Sequence, residues 1–132
     1  MDLIPYEKWS SEPHARWLLA GNAFGAHLMY AREKALEEIP SDATADQRIA
    51  IEKAVDTAIC GVMALFDTYL PTDLGENYSA IYAVITRICR KGDLNKTIEE
   101  IELAPDGDGL QMGFWGWIKG DFGAHSEASG KK

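Results

Sequence analysis

Two prolines, Pro13 and Pro40, bracket a long stretch without another proline, and inside it Trp17, Gly21, Phe24, Leu28, Ala31, Ala35 and Ile39 recur at three- and four-residue spacing. That period is one face of a helix. The helix is expected to start at Ser11, with Glu12 and Pro13 in its first turn, and to end at Ile39, because a proline disfavours helical geometry in the residue before it. Leu19, Ala26, Met29 and Tyr30 lie on the other side of its first half. An apolar girdle of this kind suits a central helix or one that also meets a second subunit. Gly21 and Gly25 stand four apart. Each costs about 1 kcal/mol relative to alanine inside a helix, so a close approach of neighbouring atoms, as in a tight helix crossing, is expected there; a kink or a bound ligand is the alternative.

Residues 54–70 form the next apolar run, interrupted by Asp56 and Asp67. Thr44 followed by Gln47 has the form of a capping box and opens a second helix that Pro71 stops after Tyr69. Its stripe is Ile51, Val55, Ile59, Val62, Phe66 and Tyr69. Joined by a short loop, the two helices are expected to pack as an antiparallel hairpin. A third helix is read over residues 78–91 from Ile81, Ile85 and Ile88, flanked by Tyr78 and Tyr82. Gly92 would end it in a left-handed cap, with Arg87, Arg90 and Lys91 complementing the negative helix end. Beyond it, Ile101 and Leu103 alternate with glutamates, residues 104–109 have strong turn chemistry, and Leu110, Met112 and Phe114 alternate again. This reads as a β-hairpin resting on the helices, although residues 93–102 also fit a short helix. The expected fold is therefore mainly α within an α+β class: a long antiparallel helix hairpin, a third helix and a C-terminal β-hairpin. Residues 1–123 make one domain and residues 124–132 a flexible tail.

With 132 residues, 46% of them hydrophobic and 26% charged, one core is expected. The formal charge of -8 repels polyanions, so nucleic acids and anionic membranes are not expected partners. The amino terminus lacks a basic segment followed by an apolar one, and the longest nearly uncharged run, residues 57–66, is far short of the roughly 20 residues that span a bilayer. A cytoplasmic protein is expected. Cys60 and Cys89 fall inside apolar patterns, as two reduced thiols would.

Catalytic and metal motifs are weak. Asp56 and Asp67 lie on one flank of the second helix with Cys60 and Met63 between them, but the two carboxylates would be separated by roughly 16 Å. That is too far for a shared proton or a single metal. His14, His27 and His125 lack a second ligand at helical metal-pair spacing. Residues 106–109 superficially resemble a calcium loop, yet Leu110, Gln111 and Trp117 occupy positions that need an oxygen ligand, a glycine and a glutamate. No cofactor is expected. Residues 113–123 set Phe114, Trp115, Trp117 and Phe122 among glycines, and large aromatics on an adaptable backbone are what binding hot spots use. Trp115 falls on the opposite phase from Leu110, Met112 and Phe114 and is the ring expected to face outward.

These features point to a non-catalytic acidic binding protein that captures a protein partner, a basic toxin or nuclease in an immunity-type role being one concrete form. The expected binding residues are Trp115, Trp117, Phe122, His27 and Asp67. One alternative is a small-molecule-binding domain or enzyme with a pocket between the hairpin and the first two helices, using His27 and Asp67 as polar groups. Another is a homodimeric structural or adaptor protein, suggested by the two-sided first helix.

Overall fold

The computed structural model describes residues 3–68, 71–105 and 109–122. Tyr69, the centre of the 104–109 turn, His125 and the expected tail lie outside the described residues. A 3-10 turn, Tyr6–Lys8, precedes helices α1 (Pro13–Leu36) and α2 (Ala45–Phe66). Strands β1 (Thr72–Asp73), β2 (Ser79–Ala80), β3 (Val84–Arg90) and β4 (Asp93–Ala104) follow, and helix α3 (Leu110–Trp117) comes last. The class is α+β, with β1–β2 and β3–β4 forming separate antiparallel pairs. Among the described residues no helix is long and apolar enough to cross a membrane.

Helix α1 opens on Pro13, and the Glu12 carboxylate accepts hydrogen bonds from the backbone N–H groups of His14 and Ala15 at 3.1 and 2.7 Å. The free donors of its first turn are thereby satisfied. Ala15, Leu19, Ala20, Gly21, Gly25, Ala26 and Met29 are its buried residues, and it touches α2, α3, β3 and β4. It is the central element. The capping box of α2 is complete: Thr44 Oγ1 accepts from Gln47 N at 3.1 Å and Gln47 Oε1 from Thr44 N at 2.8 Å. Arg32 of α1 clamps Asp56 of α2 through Nε at 2.6 Å and Nη2 at 3.1 Å, and reaches Glu52 at 2.9 Å.

Two elements differ from the sequence expectation. Residues 78–91 are not a helix. Val84, Ile85, Thr86 and Ile88 are β-branched, which favours a pleated strand. Val84, Thr86 and Ile88 alternate inward at period two as well as fitting a helical stripe through Ile85 and Ile88. Gly92, at φ 84°, is left-handed as expected, but it turns β3 into β4 with Arg90 paired to Asp93. The second difference follows from the first. Ile101 and Leu103 point inward on a strand as read, yet their partner is the upstream β3, with Thr86 opposite Ile101. Residues 110–117 are then free to be helical, and Leu110, Phe114 and Trp117, at spacings of four and three, are all buried. The core joins Met63 of α2, Leu103 of β4, Leu110, Phe114 and Trp117 of α3, and Phe122 against Ala20, Ala26 and Met29 of α1.

Arg16 ties three parts of the chain together. Its Nε donates to Glu99 of β4 at 2.9 Å, its Nη2 pairs with the other carboxylate oxygen, and Tyr6 donates its hydroxyl to Glu99 at 2.5 Å. The guanidinium also lies 5.4 Å from the Tyr6 ring centroid and 5.5 Å from that of Trp9, a cation–π arrangement. The Arg16 hydrogen bond, assisted by that of Tyr6, lowers the Glu99 pKa from 4.5 to about 2. A depressed carboxylate pKa stabilises the fold above its unfolded value and loses that contribution as pH falls toward the folded value. With partial solvent screening the contribution is about 1–2 kcal/mol. The Tm gap between wild type and Glu99→Gln is expected to be full near neutrality and to close as pH drops from about 4.5 toward 2; a gap independent of pH would refute this.

Candidate partner-binding surface

Asp67, Trp115 and Trp117, three of the five residues singled out for binding, meet at α3, and how that helix is held decides what it displays. Asp67, the C-cap residue of α2, is 9% exposed. Its Oδ1 accepts from Leu110 N at 2.7 Å and its Oδ2 from Gln111 N at 3.0 Å. One residue thus ends α2, and its carboxylate caps the positive end of α3. Gln111 Nε2 adds a bond to the Cys60 carbonyl at 3.1 Å.

The other end of α3 is locked by Trp117, 4% exposed. Its indole packs against Gly25 of α1 and Gly113 of α3: a Cβ at Gly25 would stand 2.2 Å from Cδ2, and one at Gly113 would stand 2.6 Å from Cζ2. The close approach expected at these glycines is made at Gly25, by a side chain and not by a helix backbone, whereas a Cβ at Gly21 would stand 4.0 Å from Trp117, at ordinary contact distance. Phe24 meets the indole edge-on at 6.1 Å, and Trp117 Nε1 donates to Asn22 Oδ1 at 3.0 Å. A buried aromatic with its polar atom satisfied is a structural anchor.

Clamped at both ends, α3 turns Met112 and Trp115 outward, 70% and 58% exposed. Trp115 is supported from behind by Phe114, edge to face at 5.7 Å. At the C-terminal end of α3 a cleft of about 190 Å³ is lined by Tyr30, Arg32 and Glu33 of α1 together with Trp117, Ile118 and Phe122. It is smaller than the roughly 300–1,000 Å³ that encloses a drug-sized ligand.

Of the five residues read as binding groups, Trp115 is the ring presented to solvent. Trp117 and Phe122 are buried core residues that reach only the wall of the cleft, and Asp67 is committed to capping α3. His27 is exposed on α1, and among the described residues no hydrogen bond joins it to Asp56 or Asp67. Asp56 is engaged by Arg32. Burial, and secondarily Asp56, push the Cys60 thiol above its ordinary pKa, so it stays protonated at neutral pH and a poor nucleophile. No group of three metal-ligating side chains occurs among the described residues. Met112 was not among the sequence candidates. Reading residues 110–117 by the spacing of Leu110, Phe114 and Trp117 instead of by alternation places it on the outer face with Trp115.

No protein-family model matches this chain, and no curated protein or solved structure shows significant similarity to it.

Proposed function

We propose that this chain is a non-catalytic, acidic, cytoplasmic binding protein that captures a protein partner with a basic surface, neutralisation of a basic toxin or nuclease being its concrete form. The observation that carries the reading is Trp115: a large ring 58% exposed on a helix whose two ends are fixed by Asp67 and Trp117. A rigid aromatic loses little conformational entropy on binding and anchors an interface. Met112 beside it adds a flexible, polarizable contact. The charge of -8 steers a cationic partner toward the surface. In this reading α1 and α2 act as an antiparallel hairpin, a passive platform for α3.

The test is affinity capture from the native host with wild type and with a Met112→Ala, Trp115→Ala double variant. Both side chains are mostly exposed, so the variant should lose no more than about 1.5 kcal/mol, the contribution of the edge-to-face contact of Trp115 with Phe114. A specific basic partner retained by wild type and weakened at least about tenfold by the variant supports the proposal, since a hot-spot tryptophan contributes more than about 1.4 kcal/mol. Equal capture by both proteins, or capture of nothing by wild type, overturns it.

A further inference from the structure

Residues 72–82 form a small arm built on two short strands that pair with each other. Those strands are two residues each, Thr72 opposite Ala80 and Asp73 opposite Ser79. Leu74 N donates to the Tyr78 carbonyl at 2.9 Å, and Thr72 Oγ1 meets the Tyr82 hydroxyl at 2.9 Å. A two-stranded ribbon this short is marginal in water on its own. It nevertheless exposes Leu74, Tyr78, Ile81 and Tyr82, Tyr78 at 76%, a density of apolar surface that marks an interaction site. Asp73 and Glu76 are exposed on it and have no ion-pair partner among the described residues.

The complement of this arm lies elsewhere on the same chain. A half-open groove of about 930 Å³ runs between the Tyr6–Lys8 turn and the far end of the β3–β4 hairpin. Tyr6, Ile88 and Ile98 supply its apolar surface, Arg90 and Lys91 its cations and Glu7 one acid. Neither Arg90 nor Lys91 has an ion-pair partner among the described residues. In a chain of charge -8, an apolar groove lined by two cations and one acid suits an apolar segment carrying acids.

Arm and groove stand at opposite ends of β3, whose seven residues span roughly 20 Å. A two-fold axis across the middle of that strand would set each arm at the other copy's groove. We propose that two copies of this chain form an isologous dimer in which Leu74 and Tyr78 of each arm enter the groove of the other copy, with Asp73 and Glu76 facing Arg90 and Lys91. Both contacts close at once, which gives a finite dimer and makes the second contact intramolecular. The long-range repulsion between two acidic chains is screened beyond about 8 Å at physiological salt, whereas the complementary charges act at contact. The surfaces share no residue with Trp115 and Met112, so this proposal stands or falls independently of partner capture.

Sedimentation velocity at physiological salt tests it with two charge-reversed chains, Arg90→Glu with Lys91→Glu and Asp73→Lys with Glu76→Lys. Wild type is expected to be dimeric. Each variant alone is expected to be monomeric, because it sets like charges against each other, with dimerisation weakened at least about tenfold. Mixing the two variants restores a dimer that contains one chain of each kind, since both arm–groove contacts are again complementary. A monomeric wild type, a variant that dimerises like wild type, or a mixture that stays monomeric would each overturn the proposal.

Discussion

Trp117→Ala is expected to destabilise the protein by about 3–5 kcal/mol, the range for deleting a large buried aromatic whose site cannot fully collapse. The loss should be at the upper end, because Gly21, Gly25 and Gly113 offer no side chains to fill the void, and Asn22 loses the indole donor that its Oδ1 accepts at 3.0 Å. The companion substitution makes the test specific. Gly25→Ala alone should destabilise by about 1–3 kcal/mol through overpacking, since its Cβ would stand 2.2 Å from the nearest indole carbon. In the Trp117→Ala background the same change should become neutral or stabilising by up to about 1 kcal/mol, the helix preference of alanine over glycine. Urea unfolding of the four proteins gives the cycle. A Gly25→Ala effect of the same sign and size in both backgrounds would mean that the glycine does not serve the tryptophan.

Asp67→Ala is expected to cost about 2–3 kcal/mol, because two backbone N–H groups at the start of α3 lose a charged acceptor at a largely buried site. Asp67→Asn keeps one oxygen and should cost less, about 1 kcal/mol. Local opening of α3 should outpace global unfolding in the alanine variant, seen as faster amide hydrogen exchange at residues 110–117 with α1 protected as before. Uniform acceleration over the whole chain would contradict a local capping role. If Trp115 anchors a partner, Asp67→Ala should also weaken capture without touching the interface, by letting its helix fray.

The long helices were legible because their signals are local. Pro13, Glu12 and the Thr44–Gln47 box act within one turn of chain, and residues 13–36 and 45–66 carry enough apolar positions to declare a 3.6-residue period. The outward ring of the aromatic segment, Trp115, was also visible, although for a strand phase where the chain forms a helix. Residues 84–90 were not legible in the same way: Ile85 and Ile88 satisfy a helical stripe while Val84, Thr86 and Ile88 satisfy an alternating one. Seven residues are too few to separate the two periods. The left-handed Gly92 suits a helix cap and a hairpin turn equally.

The sequence by itself determined where α2 begins, the start of α1 to within two residues, that Gly25 must face something close, and the formal charge of -8, since propensity, capping and charge depend only on neighbours along the chain. The tertiary structure decided which strand β4 pairs with, that Trp117 is the partner of the glycines, that Asp67 caps a helix 43 residues away, and that the apolar residues between Leu74 and Tyr82 stand in solvent. The Trp117 and Asp67 contacts join segments distant along the chain, and the energy of such contacts is set by shape and burial that no local pattern encodes.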